Sequence, residues 1–172
     1  MIEIYFTDGE NLHGKTLCIL EKRLGFKPVV LTTPNGKPYI ESNPLYFSLS
    51  HSGKYGVIAL SEKPVGADIE SLEKKRNFKL ITKSFTEREN AVISSIFPRF
   101  LENWTAKESY IKLLGKTLKD IKNLEFYDGF IYENGVKSCK VIPVPGLKKA
   151  VCSVCSESEN DGIIIKTPPY IP

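Results

Sequence analysis

Strand-like and helix-like segments are segregated along this chain, and their order narrows the possible architectures more than any other property. Leu45–Leu49, Tyr55–Leu60 and Val65–Glu70 follow one another as strand-patterned runs with only short turns between them. Helical pattern then takes over. Thr86-Glu87-Arg88-Glu89 fits a capping box ahead of Ala91-Val92-Ile93, and Pro98 suits the first turn of a helix running to about Leu114, stopped by Gly115. Strands return at Leu124–Tyr127, Phe130–Tyr132, Val136–Val141, Ala150–Val154 and Ile163–Ile165, with Asn134-Gly135 as a hairpin turn. Ahead of all this lie an opening strand at 2–6 and a helix over 14–24, with Leu17, Leu20 and Leu24 on one face and Gly25 at its end. A short strand, Val29–Thr32, and a turn at Pro34-Asn35-Gly36 complete the first part. Strands with one helix, then helices, then strands predict an α+β fold rather than a doubly wound sheet.

At 172 residues the chain is long enough for one domain with a real core, or for two small halves packed intimately together. A net charge of +4 favours polyanionic partners mildly and excludes none. The start, Met1-Ile2-Glu3-Ile4-Tyr5-Phe6, has neither the basic region nor the apolar run of a signal peptide. No stretch reaches the apolar length of a membrane span, so no membrane partner is expected and the cytoplasm is the expected compartment. Cys152-Ser-Val-Cys155 has metal-ligand spacing, but a structural zinc needs a second pair and only Cys139 is near. Buried reduced thiols on a late strand are the better reading.

Asp68 and Glu70 stand two apart on a strand and therefore project from the same face. Two such carboxylates repel unless they diverge into water or share a cation, and hard oxygen ligands suit Mg²⁺. In the helix ending at Leu114, the residues Phe100, Trp104, Ile111 and Leu114 form an apolar stripe that also contains Glu108 and Lys107. A charge placed there needs a partner or a metal. Lys112 follows Glu108 by four residues, so a simple surface pair between the two is the plainer alternative. Ser50-His51-Ser52-Gly53 joins two strands, where imidazole, hydroxyls and backbone N–H groups can grip phosphate or merely satisfy a turn.

In order, Gly36-Lys37-Pro38, Phe47-Ser48-Leu49-Ser50-His51-Ser52-Gly53, Val65-Gly66-Ala67-Asp68-Ile69-Glu70, Phe85-Thr86-Glu87-Arg88-Glu89 and the run from Trp104 to Lys116 resemble the surfactin-synthetase-activating type of 4′-phosphopantetheinyl transferase. The likeness covers about residues 36–118, and a W-x-x-K-E-S-x-x-K helix after a G-x-D-x-E strand is specific as a combination. The short trimeric holo-acyl-carrier-protein synthases match less well, because they carry the metal-binding aspartate near the chain start. The resemblance implies two pseudo-symmetric α/β halves, here residues 1–66 and 67–172, with coenzyme A bound between them. It implies that Asp68, Glu70 and Glu108 hold Mg²⁺ with the coenzyme A pyrophosphate, and that Lys112 contacts that phosphate and helps the leaving group. Lys37, Ser50 and His51 would bind the nucleotide end. Glu89 matches a further family glutamate. The basic residues that the family carries ahead of its first helix have no clear counterpart here, and His13, Lys15 and Lys22 are the stand-ins.

The implied reaction moves the phosphopantetheine arm to a serine of an apo carrier protein, with Glu108, directly or through a water, as the base. A pseudo-dimeric chain needs no second copy to complete its site, so a monomer is expected. Two rivals remain. A metal-dependent nuclease would also use clustered acids and a lysine, but position 72 is Leu and no basic stripe for nucleic acid is present. A non-catalytic carrier- or nucleotide-binding relative would have little use for an intact Asp68, Glu70, Glu108 and Lys112. Finally, Phe78, Leu80, Ile81, Phe85, Ile96, Phe97 and Phe100 suggest an apolar groove for the carrier helix, rimmed by Lys74, Lys75, Arg76, Lys79 and Lys83.

Overall fold

A computed structural model describes residues 1–41, 45–75, 82–93, 97–158 and 160–167. The elements run β1 (Ile2–Asp8), α1 (Leu12–Leu24), β2 (Val30–Thr32), β3 (Pro38–Ile40), β4 (Tyr46–Ser52), β5 (Tyr55–Ser61), β6 (Val65–Ser71), α2 (Glu87–Ile93), α3 (Phe97–Leu114), β7 (Leu124–Tyr127), β8 (Phe130–Glu133), β9 (Val136–Pro143), β10 (Ala150–Ser156) and β11 (Ile163–Lys166). Short 3₁₀ turns occupy Thr82–Ser84 and Leu118–Asn123. The fold is α+β, as the segregated order predicts. Among the described residues no helix is long and apolar enough to cross a membrane.

One sheet has the order β11-β1-β5-β4 and the other β6-β10-β9-β8-β7, while β2 and β3 form a separate hairpin. Neighbouring strands are antiparallel except β1 and β11, which run parallel with Ile2 opposite Ile163. The burial follows from the strand period of two. Ile2 and Ile4 of β1 pack with Val57 and Ala59 of β5 and with Ala67 and Ile69 of β6, so the inner faces of both sheets share this core. The outer face of the first sheet, through Tyr5, Ile58 and Leu60, covers Ile19 and Leu20 of α1. Helix α1 begins two residues before the predicted start, with Asn11 as N-cap in the left-handed region (φ 44°) and its side chain accepting from Gly14 N–H.

Helix α3 lies across β6 and β10, and a glycine allows its close approach. A Cβ on Gly66 of β6 would overlap the Ser109 carbonyl and the Leu113 amide. The apolar stripe is shifted from its predicted line: Leu113 is buried, whereas Leu114 is 43% exposed. Cys152 and Cys155 are three apart on β10 and therefore point to opposite faces. They belong to two different core clusters as free thiols, so they share no metal.

Candidate active site

The site forms where β4, β6 and the last two turns of α3 meet. Alternation on β6 sends Asp68 and Glu70 toward β4 and α3, and alternation on β4 answers with Ser50 and Ser52. The Ser50 hydroxyl donates to Asp68 Oδ1 at 2.6 Å, and the Ser52 hydroxyl donates to Glu70 Oε2. Ser48 on the same face fixes the β6 backbone, accepting from Ala67 N–H at 3.0 Å. Ser48 carries no role of its own in the sequence, and Ser52 enters there only as a hydroxyl of a phosphate-gripping turn, whereas the structure seats Ser50, His51 and Ser52 within β4. Their signal was the alternation Ser48-x-Ser50-x-Ser52 facing an acidic strand.

From α3, Glu108 completes a triad of carboxylates. One oxygen from each of Asp68, Glu70 and Glu108 lies within 4.8 Å of the others. Asp68 is buried, and among the described residues its Oδ2 has no hydrogen-bond partner. An acceptor taken out of water and left unpaired is costly. Burial, with Asp68 and Glu70 nearby, pushes the Glu108 carboxyl up to about 8, against the pull of Lys112 and the Trp104 indole. Three carboxylates so close, one with an oxygen unpartnered among the described residues, could hold a hard divalent cation.

Lys112 does not form the simple pair with Glu108 that helical spacing offers. Its ammonium donates to Asp68 Oδ1 at 2.6 Å and to Ser50 Oγ at 2.7 Å, so it crosses from α3 to both strands. It also lines a cleft of about 470 Å³ beside the triad, together with His13, Lys37, Lys116 and Asn35, over an apolar wall that includes Val30, Phe47 and Leu49. Asn35, Thr32 and Lys116 are additions that the sequence did not single out. Burial lowers the Lys37 ammonium pKa, and its Nζ donates to the Leu113 carbonyl.

Other candidates go elsewhere. His51 is exposed, on the face of β4 opposite Ser50 and Ser52, and is not among the residues lining this cleft. Lys15 pairs with Asp8, and Lys22 lines a separate cleft of about 300 Å³. Lys107 and Glu89 form a buried ion pair at 2.6 Å, their side chains 0% and 2% exposed. Glu89 also makes the capping box with Thr86 and accepts from Phe126 N–H at 2.8 Å. Of the proposed groove, Phe85 and Phe100 are buried against each other edge to face at 5.4 Å and belong to the core. Arg76, Phe78, Lys79, Leu80, Ile81 and Ile96, with the side chain of Phe97, lie outside the described residues.

Comparison with known proteins agrees with this geometry. The sequence profile of the 4′-phosphopantetheinyl transferase superfamily matches residues 64–157, the stretch holding the whole triad and Lys112. The 4′-phosphopantetheinyl transferase gsp of Aneurinibacillus migulanus is 35% identical over 136 residues, covering 70% of this chain and 55% of that protein. The transferase AcpT of Escherichia coli K12 is 30% identical over 122 residues, 66% of this chain and 62% of that protein. The transferase Sfp of Bacillus subtilis strain 168 is 28% identical over 148 residues, 76% of this chain and 65% of that protein. The chain therefore spans less than two-thirds of the length of these relatives. With the profile covering more than half of it and the acidic triad inside the match, the chain belongs to the 4′-phosphopantetheinyl transferase superfamily.

Proposed function

We propose that the chain transfers the 4′-phosphopantetheine group of coenzyme A to a serine of an apo carrier protein, leaving 3′,5′-ADP, with Mg²⁺ held by Asp68, Glu70 and Glu108. The observation that carries this is Asp68 Oδ2, unpartnered among the described residues and set among three carboxylates, with Lys112 linking Asp68 to the neighbouring cleft. The donor set fits Mg²⁺, all oxygen and anionic. Bound there, the ion would neutralise charge that develops on the pyrophosphate.

In the reaction the carrier serine oxygen forms a bond to the β-phosphorus of coenzyme A, and the bond from that phosphorus to the bridging oxygen breaks, with 3′,5′-ADP taking the electron pair. Glu108 accepts the serine proton; a carboxyl whose burial raises its proton affinity is suited to that task. Lys112, now on Asp68 and Ser50, sits within reach of the cleft and offsets charge on the leaving phosphate. The cleft takes the nucleotide end, its cationic rim of Lys37, Lys112 and Lys116 suiting phosphate and its apolar wall suiting adenine. All these groups come from one chain, so we expect a working monomer in the cytoplasm.

The test is direct. The chain is incubated with coenzyme A, Mg²⁺ and an apo carrier protein, and the carrier is weighed for the added arm. Asp68→Ala and Glu108→Ala should each lower kcat/KM by about a thousandfold or more, the scale of losing several kcal/mol of transition-state stabilisation. Near-normal turnover of either variant at saturating Mg²⁺ removes the metal assignment, and an unmodified carrier with the unaltered chain removes the activity.

A further inference from the structure

The carboxyl end of α3 carries Lys112, and helix ends leave backbone carbonyls without intrahelical partners. Two of these are satisfied locally. Lys116 N–H donates to Ile111 O at 3.0 Å and Gly115 N–H reaches Lys112 O at 3.4 Å, with Gly115 in the left-handed region at φ 63°. Two more are satisfied from far away in sequence. Asn35 Nδ2 donates to Gly115 O at 2.9 Å, and Lys37 Nζ donates to Leu113 O. Both side chains come from the tip of the β2–β3 hairpin.

That tip is itself well defined. Thr33 and Lys37 close it, with Thr33 N–H donating to Lys37 O at 2.9 Å and Gly36 N–H to Thr33 O at 2.8 Å. Thr33 Oγ1 also accepts from Lys37 N–H at 3.1 Å. Gly36 supplies the positive φ the turn requires, at 82°. The turn is therefore closed by its own hydrogen bonds, and its contact with the helix is close: a Cβ on Gly115 would stand 3.3 Å from Lys37 Cδ.

We propose that Asn35 is a positioning residue: by holding the Gly115 carbonyl it fixes the last turn of α3, and so keeps the Lys112 ammonium where it meets Asp68 and Ser50. Asn35 acts through the helix end and not on the reacting atoms. The inference rests on the transferase reading only for its kinetic arm. Its structural arm stands on the Asn35–Gly115 hydrogen bond alone.

The test uses Asn35→Ala, which deletes the donor and brings no charge into the cleft, and Asn35→Gln, which restores an amide one methylene longer. The Ala variant should lower kcat about fivefold, the scale of one lost hydrogen bond. KM for coenzyme A should stay within about twofold, and Gln should recover most of the loss. In a Lys112→Met background, Asn35→Ala should bring no further loss, because the group it positions is gone. Amide hydrogen exchange at Gly115 and Lys116 should quicken in the Ala variant, whatever the activity. Equal losses in both backgrounds, a change confined to KM, or unaltered exchange at Gly115 and Lys116 would each overturn the proposal. A chain that transfers nothing but shows faster exchange in the variant keeps the tether and removes the transferase reading. If the Ala variant does not fold, Asn35→Ser carries the same test, since its hydroxyl is too short to reach Gly115 O.

Discussion

Glu108 shows most clearly how one residue couples charge to stability. Burial pushes its carboxyl in the folded chain up to about 8, while the unfolded side chain releases its proton near the ordinary 4.5. Between those values the folded state binds more protons than the unfolded one, so stability falls as pH rises through the window. Thermal melts in EDTA should therefore show a lower Tm at pH 8 than at pH 5, and Glu108→Gln should reduce that difference. Added Mg²⁺ should restore the Tm at pH 8, because a cation favours the ionised form and binds the folded state alone. His51 belongs to the same scale with another expectation. It stands exposed across β4 from the carboxylates and outside the cleft, so His51→Ala should leave kcat nearly unchanged, and a raised KM for coenzyme A would show that the nucleotide end reaches this face. Equal penalties with coenzyme A and its dephospho form would rule out a contact with the 3′-phosphate.

Among the elements, α3 does most of the organising. Lys107 and Glu108 are neighbours with opposite assignments: Lys107 turns to the buried Glu89 of α2, whereas Glu108 faces β6. Breaking a fully buried pair leaves a lone charge, which costs about 3–5 kcal/mol. Lys107→Met should lower unfolding stability in urea by about that amount, and a Lys107→Met, Glu89→Gln double variant should recover part of it. The sequence made the element order and the acidic residues legible, because period-two and period-3.6 patterns place Asp68 with Glu70 and Glu108 with the helix stripe. It did not show that Lys112 chooses Asp68 over Glu108. Spacing within a helix gives only local neighbours, and Asp68 arrives from another element. The strand β3 was missed for a related reason, since its opening residue is Pro38, which withholds an N–H from any ladder. The resemblance makes Lys37 a nucleotide contact, whereas its bond to Leu113 O depends on a helix end far away in sequence.

At the scale of the whole molecule, the two sheets and α3 enclose the acidic site while the basic residues Lys74, Lys75 and Lys83 remain exposed. An acidic carrier would be drawn to such a rim, with more effect on encounter than on the strength of the complex. Lys75→Glu with Lys79→Glu should therefore raise KM for the carrier at low ionic strength, spare KM for coenzyme A, and flatten the salt dependence of the rate. Unchanged carrier kinetics would assign these lysines to a merely solvated face. The pairing of β1 with β11 carries a consequence of another kind. β5 can join β1 early, since both lie within residues 2–61, but the parallel partner becomes available only once residue 166 has left the ribosome. During synthesis one edge of β1 stays open, offering its N–H and C=O groups to any passing strand. Closure of that edge over so long a separation in sequence should be a late, slow step in refolding. A nascent chain stalled before β11 should be the species most prone to aggregate.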